Sequence, residues 1–330
     1  MDKRKAVGVD PIRTVALLVL IAVLFTAAFL LFKKWEDGQS SYPVNDNTTD
    51  TVISHGGKEY ELNGDVETVL VIGLDTFGKT EDNTAYNNDK LADFLLLLVF
   101  DNKESTVSAI QINRDTIAEI NRLDIAGNKI DTINRQIALA HTYGNGKEVS
   151  CRNTADAVSS LLMNIKIDRY FSVTMDAVKE YNDLLGGVSV EILDDLTSID
   201  PAMIKGETVK LTGEQALSYV RARQGLDDST NIRRMERQRQ YLHALYDVTK
   251  QRIGEDEEFS VSAASSMAKH MVSNCTVHQL QTVINKIATY SSTKIYELEG
   301  ESLMGETYME FYPDKEHTKR LVIDLFYKQK

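Results

Sequence analysis

Hydrophobic and polar positions divide this chain into stretches of different rhythm. Thr14–Phe32 is apolar throughout, with no charge and no proline. At ~1.5 Å per helical residue it approaches the ~30 Å hydrocarbon thickness of a bilayer. Trp35 to about Gly64 is polar and poor in large apolar residues, which predicts a stalk ending in a short strand over Lys58–Leu62. Three compact apolar runs follow, Thr68–Leu74, Phe94–Phe100 and Thr106–Ile112. The first two lack strict alternation, as strands buried on both faces do. Helical spacing then marks Ala138–Tyr143, Asn153–Met163 and Asp176–Leu185, between strands expected at Tyr170–Thr174 and Val188–Ile192. Gly186-Gly187 stops the third of these helices. Thr212 has the place of a cap for a helix over Ala216–Arg223. Asn231–Gln251, Ser260–His270, Val277–Thr289 and Lys315–Tyr327 also read as helices. Strand–helix alternation followed by helices predicts one α/β domain with a helical C-terminal layer.

Charge adds topology. Lys3, Arg4, Lys5 and Arg13 precede the apolar run, and Lys33 and Lys34 follow it. This bias predicts a cytoplasmic N-terminus and an extracytoplasmic body. A cleaved signal peptide is the competing reading, but the run is long for one, and Lys33-Lys34-Trp35 stands where small residues would mark a cleavage site. The chain carries 49 acidic against 37 basic residues, net −12. Residues 1–34 hold six basic against two acidic residues, so the body is more acidic still. That balance argues against nucleic acid as a partner. Cys151 and Cys275 are the only cysteines; one disulfide and two buried thiols are both open readings. The six histidines show no metal-ligand spacing.

Gly73-Leu-Asp-Thr-Phe-Gly-Lys-Thr80 fits the phosphate-loop pattern GxxxxGK[ST] and follows an apolar strand. The reading fails on what comes next. A phosphate loop opens a helix, whereas Glu81–Asp89 has no apolar face and is rich in poor helix formers. The gap to the next strand is also too short for a crossover helix.

The same strands place other chemistry. Asp75 lies just past the first strand, Asp93 begins the second, and Arg114-Asp115 follows the third. Residues beyond strand ends commonly line ligand crevices in α/β folds. Against the acidic background, Arg221, Arg223, Arg233, Arg234, Arg237 and Arg239 crowd one segment. Guanidinium groups stay charged and grip phosphate through paired hydrogen bonds, so the cluster suggests a site for a pyrophosphate. A solvated helix face studded with arginine is the bland alternative.

The order VLVIGLD, ADFLLLLVFD, IQINRDT, LLGGVSVEI, LTGEQALSYVRAR and RRMERQRQ resembles the LytR-CpsA-Psr family, from about Val66 to Leu245. The resemblance implies a membrane-anchored phosphotransferase of the bacterial surface. It would move a glycopolymer such as teichoic acid or capsule from a polyprenyl-pyrophosphate carrier to a peptidoglycan hydroxyl. It further implies Asp75 and Asp93 as ligands of Mg²⁺ (or Mn²⁺). Arg114, Arg221, Arg223 and Arg234 would grip the pyrophosphate, with Gln238 completing the head-group site. Arg234 and Gln238 stand four apart and share a helix face. Asp228 is implied as general base for the acceptor hydroxyl. An apolar tunnel for the lipid is implied as well.

Departures from the family pattern are specific. Leu91 stands where the family has Arg, with Lys90 as the neighbour expected to substitute. Asn113 replaces Pro, and Asn231 replaces an Asp. The missing arginine favours an alternative, a surface module that binds the lipid pyrophosphate without turnover; a pyrophosphatase using water as acceptor is another. The expected organisation is a cytoplasmic tail (1–13), a transmembrane helix (14–32), a stalk (33–65), a catalytic domain (66–245) and a helical C-terminal part (246–330). The expected fold is a single extracytoplasmic α/β/α domain with a central mixed sheet.

Overall fold

The computed structural model of the chain describes residues 49–77, 88–222, 231–256, 270–275 and 290–330, with positions 259, 279, 282, 283 and 286. The apolar run Thr14–Phe32 lies outside them, as do most of the helices expected over 260–270 and 277–289. Among the described residues, no helix is long and apolar enough to cross a membrane.

The fold begins inside the segment read as a stalk. Strands β1 (Val52–His55) and β2 (Lys58–Leu62) form an antiparallel hairpin, and Ile53 is buried in the main core. The three apolar runs become β3 (Val66–Leu74), β4 (Ala92–Asp101) and β5 (Thr106–Ile112), an antiparallel meander. Their lack of alternation has the expected cause. Leu70, Ile72, Leu95, Leu97, Ile110 and Ile112 pack on one side of the sheet, and Val69, Val71, Leu96, Leu98 and Phe100 on the other. Both side-chain rows of each strand are thus removed from water.

A hairpin the sequence reading passed over follows, β6 (Ile117–Leu123) and β7 (Lys129–Gln136). Its turn is closed by Asp124, whose carboxylate accepts from the Ala126 and Asn128 amides at 2.8 and 2.9 Å. A 3₁₀ turn over Ile137–Thr142 leads to helix α1 (Glu148–Leu161). Strand β8 (Arg169–Val173) joins β3 in parallel, and α2 (Met175–Leu184) follows. Gly186 and Gly187 end α2 with φ of 75° and 97°, a conformation open to glycine at little cost. Strands β9 (Val188–Glu191) and β10 (Thr208–Leu211) pair with each other. Helix α3 (Gly213–Arg221) opens on a full capping box. The Thr212 hydroxyl accepts from the Gln215 amide at 3.3 Å, and the Gln215 side chain accepts from the Thr212 amide at 3.0 Å. The long α4 (Ile232–Glu255) comes next.

Beyond α4 the helix expected over Lys315–Tyr327 is present as Lys315–Phe326, and the described residues around it add strands that were not expected. The described residues there form β11 (Met271–Ser273), β12 (Ser291–Glu297), β13 (Gly300–Met304), β14 (Met309–Pro313), helix α5 (Lys315–Phe326) and β15 (Tyr327–Gln329). Short runs rich in Tyr, Phe and β-branched residues pair readily once a sheet edge is offered. Strand β12 extends the sheet in parallel beside β5, and β11 lies antiparallel to β8. The central mixed sheet therefore reads β11-β8-β3-β4-β5-β12. Strand β15 returns to pair with β2, tying the last residues to the first described strands.

Helices α1 and α5 cover one face of the sheet. Helices α2, α3 and α4 form a second apolar cluster with β9 and β10, centred on Tyr181, Tyr219 and Tyr241. Cys151 and Cys275 are both free and buried. Burial pushes the thiols up, to about 12 and about 11, so both are held as thiols.

Candidate active site

Antiparallel pairing brings the end of β3 beside the beginning of β4. Gly73 faces Phe94 and Leu74 faces Ala92, with a bulge between the two pairs. The Asp75 amide donates to the Leu91 carbonyl at 2.9 Å, so Asp75 and Asp93 leave the sheet at the same edge. Ile112, the last residue of β5, lies opposite Leu95, which delivers Arg114 there too. The turn after β5 is built by Asn113. Its side-chain oxygen accepts from the Asp115 amide at 3.0 Å, and its carbonyl accepts from the Thr116 hydroxyl at 2.6 Å. Such an Asx-type turn does with hydrogen bonds what a proline ring does by restricting φ.

Five of the expected charged residues meet at this edge. One Asp93 oxygen is paired with Arg114, and the other accepts from Arg234 Nη1 at 3.1 Å. All three side chains are buried, at 6%, 10% and 3% exposure. Above them, Arg221 Nη2 donates to Asp75 at 2.6 Å in a half-exposed pair. The Arg221 guanidinium also lies over the Phe77 ring, 5.3 Å from its centroid. Three arginines thus face Asp75 and Asp93, and Asp115, 3.3 Å from Arg114 Nε, is a third carboxylate at the same edge, so charge is close to balanced there.

The arginine-rich segment does not act as one patch. Arg233 and Arg237 turn to Asp194, and Arg237 is wholly buried, donating also to the Tyr219 and Ala222 carbonyls. Burial alone would raise the Asp194 carboxyl, but the hydrogen bonds from Arg233 and Arg237 outweigh it and hold it below the usual range. Arg239 reaches Gln111 at 2.6 Å and Glu297. Helical phase decides the split: Arg234 and Gln238 share the face toward the sheet edge, and Arg233 and Arg237 share the next. Gln238 donates to the Val220 carbonyl at 3.3 Å and lines the cavity described below.

Lys90 does not take the place of the missing arginine. Its ammonium lies 3.5 Å from the Gly146 carbonyl, and its own carbonyl faces His141 Nδ1 at 2.9 Å. The segment is pinned there because Asn88 donates to the carbonyls of His141 and Gly144 at 3.0 and 3.3 Å. Leu91 alone from this stretch reaches the cleft wall. Arg223 and Asp228 lie outside the described residues.

Two cavities meet at the charged edge. A polar cleft of about 790 Å³ is lined by Asp75, Phe77, Asp93, Arg114, Arg221 and Arg234. An almost wholly apolar cavity of about 130 Å³ runs between Val71, Phe94, Val178, Tyr241, Leu242 and Leu245. Asp93, Arg221 and Arg234 line both, so the charged cluster stands where one opens into the other. A third space, a groove of about 1190 Å³, shares Leu91 and Arg114 with the cleft. The charged cluster follows from the motifs along the chain, whereas Phe77 beneath Arg221 and the groove emerge only in the fold. An aromatic residue two positions past a strand-end Asp was the available signal for the first.

Asp75 and Asp93 both line the polar cleft, where Asp75 pairs with Arg221 and the two Asp93 oxygens pair with Arg114 and Arg234. Among the described residues no group of three or more His, Cys, Asp or Glu gathers anywhere. Two carboxylates lining one cleft suit Mg²⁺, which keeps several waters and completes its shell with substrate phosphate oxygens.

Comparison with known proteins places the fold and the family. The chain is 27% identical over 265 residues to the polyisoprenyl-teichoic acid–peptidoglycan teichoic acid transferase TagV of Bacillus subtilis, covering 76% of this chain and 58% of that protein. It is 33% identical over 177 residues to the transferase TagU of Halalkalibacterium halodurans, covering 54% and 51%. The chain therefore spans between half and three-fifths of the length of these relatives. The structure of TagT bound to LIIa-WTA superimposes with a TM-score of 0.58 at 21% identity, covering 79% of this chain and 90% of that one, which shows a shared fold. A family model, the LytR_cpsA_psr family, matches residues 33–324. With that match over most of its length, the chain belongs to the LytR_cpsA_psr family.

Proposed function

We propose that this protein is a phosphotransferase that moves a glycopolymer from a polyprenyl-pyrophosphate carrier onto a peptidoglycan hydroxyl. The observation that carries the reading is the charged cluster at the junction of an apolar cavity and an open polar cleft. A polyprenyl pyrophosphate bearing a glycan has the same three parts in the same order. The names of TagV and TagU, which speak of teichoic acid and peptidoglycan, support the two substrate classes.

In this reading the acceptor hydroxyl attacks the phosphorus next to the sugar. A new P–O bond forms to the acceptor, and the bond to the bridging oxygen breaks, releasing polyprenyl phosphate. Arg114, Arg221 and Arg234 offset the charge that builds on the leaving group, in a site where two of them are already desolvated. Gln238 orients the head group from the cavity wall. Arg223 adds to the grip and Asp228 takes the hydroxyl proton; both assignments come from the sequence motif. Mg²⁺ or Mn²⁺ held by Asp75 and Asp93 would supply Lewis-acid polarisation of the phosphoryl oxygens. On this proposal Thr14–Phe32 anchors the chain in the membrane, with the body outside.

The cavity sets a condition. At about 130 Å³ it is of the size that holds a benzene molecule, so a polyprenyl chain must widen it or leave through its far end.

A second reading has one observation in its favour. Leu91 stands at the cleft wall and Lys90 turns away, so the grip lacks one cation. A binder without turnover would tolerate that loss more readily than an enzyme. The test uses full-length protein in detergent with a polyprenyl-pyrophosphoryl oligosaccharide, peptidoglycan fragments and Mg²⁺. Sugar appearing on the glycan and stopping with EDTA is the expected result. Tight binding of a competent donor with neither transfer nor phosphate release would overturn the enzyme in favour of the binder.

A further inference from the structure

The largest of the three spaces, the groove of about 1190 Å³, meets the polar cleft at Leu91 and Arg114 and is otherwise lined by residues to which the donor site assigns no role. Its walls are the β6–β7 hairpin on one side and the β13–β14 hairpin on the other, with Asn134 and Gln136 facing Thr307, Tyr308 and Tyr312. We propose that this groove is the acceptor site, binding a neutral glycan strand of N-acetylated sugars with Tyr308 and Tyr312 as its stacking platform. The word acceptor rests on the transferase reading above; glycan binding in the groove does not.

Continuity is the first argument. Arg114 and Leu91 line both the groove and the polar cleft, so a strand lying in the groove ends at the charged cluster. One of its hydroxyls then faces the phosphorus that the arginines hold.

The second is chemistry. Tyr308 is 69% exposed and Tyr312 44% exposed. Neither ring is needed for the core, which takes Phe311 from the same strand at 4% exposure. Exposed tyrosines offer a flat apolar face at small entropic cost and a polar rim, which suits the faces and hydroxyls of sugar rings. The amides of Asn134 and Gln136 and the Thr307 hydroxyl add neutral hydrogen-bonding partners.

Charge separates the possible occupants. Asp115, Glu306 and Glu310 line the groove against Arg114 and Arg135. A polymer of repeating phosphates meets net negative charge there, whereas a neutral glycan meets no penalty.

Rigidity is the fourth argument. The Phe311 amide donates to the Asp115 carbonyl at 2.9 Å. The Gln136 side-chain amide bridges the hairpins, donating to Asp115 Oδ1 at 3.0 Å and to the Met309 carbonyl at 2.7 Å. The tyrosine platform is thereby tied to the residue that follows Arg114, and its distance from the charged cluster is held by the fold.

The test is equilibrium binding to full-length protein in detergent, read by calorimetry. The probes are a tetramer of β-1,4-linked N-acetylglucosamine and, separately, a soluble oligomer of glycerol phosphate. The tetramer is expected to bind, and Tyr308→Ala and Tyr312→Ala each to weaken it about tenfold. Tyr308→Phe should retain most of the binding. No binding of the tetramer to the parent protein overturns the proposal, as does equal binding by the Tyr308→Ala/Tyr312→Ala double variant. Tyrosine-dependent binding of the glycerol phosphate oligomer overturns it differently, by assigning the groove to the donor polymer. Binding needs no turnover, so tyrosine-dependent glycan binding without transfer would sink the enzyme and keep the groove. Transfer that ignores both tyrosines would do the reverse.

Discussion

The Asn231 side-chain amide donates to the Asn113 side-chain oxygen at 2.9 Å, in a buried contact spanning 118 residues. These are two of the positions at which the chain departs from the family pattern, and they meet. Asn113 shapes the turn that presents Arg114, and Asn231 sits one residue before α4, which carries Arg234. The contact therefore locks together the two elements that grip Asp93 from either side.

Replacing Asn231 with alanine removes one of the two donors to the buried Asn113 oxygen, which keeps the Asp115 amide. A loss of about 1–2 kcal/mol in unfolding free energy is expected from such an exchange. Activity should fall by more than stability explains, because Arg114 and Arg234 lose their common reference. Urea unfolding beside the transfer assay measures both, and a fall in stability alone would contradict the positioning role.

The two halves of the charged cluster should respond differently to alanine. Asp93→Ala leaves Arg114 and Arg234 buried without their shared carboxylate, and loss of one partner from a buried ion group costs roughly 3–5 kcal/mol. Arg221→Ala breaks a pair whose side chains are 38% and 28% exposed, and such pairs contribute on the order of 1 kcal/mol or less. The expectation is a sharp drop in melting temperature for the first and little change for the second. Both should lose affinity for a soluble pyrophosphate analogue. Arg221→Lys should recover only part of it, since the ammonium lacks the forked geometry.

Filling the apolar cavity should separate lipid from head group. Val178→Trp places a ring in the space of about 130 Å³ between Val71, Tyr241 and Leu245. Donors with a polyprenyl chain are expected to bind at least about tenfold more weakly, while a short-chain, water-soluble analogue binds as before. Equal binding of both donors by the variant would mean that the lipid runs elsewhere.

Acid should destabilise the fold in two stages. His141 is fully buried, and burial lowers its pKa to about 4, against an ordinary value of 6.5. The group is depressed in the folded state, so its contribution is complete above about 6.5 and is lost as pH falls toward 4. The shift corresponds to a loss on the order of 3 kcal/mol across that window. Asp194, also depressed in the folded state, adds its loss below the ordinary carboxylate range. Urea midpoints at several pH values between 7.5 and 4 should fall steadily, and His141→Gln should flatten the upper part of that slope. An unchanged slope in the variant would assign the acid sensitivity to other groups.

Much of the scaffold was legible in the residues. The unbroken apolar runs of β3, β4 and β5 require burial on both faces, and the strand ends placed Asp75, Asp93 and Arg114 at one edge. The Gly186-Gly187 stop, the Thr212 cap and the shared face of Arg234 and Gln238 are local features that short-range geometry enforces. The β6–β7 and β13–β14 hairpins were not legible, because short mixed segments become strands only beside a partner.

What the sequence by itself determined is therefore whatever depends on neighbours a few residues away: the apolar strands of the meander, caps, stops and the phase of α4. What only the tertiary structure decided is the choice of partner. Arg237 and Arg234 are three apart and chemically identical, yet one is spent on Asp194 and the other faces Asp93. Lys90, the natural substitute for a missing arginine, is drawn to Gly146 instead. The pair of Arg221 and Asp75 spans 146 residues. Such contacts are selected by which surfaces the packed core brings within a few ångströms, and no local pattern along the chain encodes that distance.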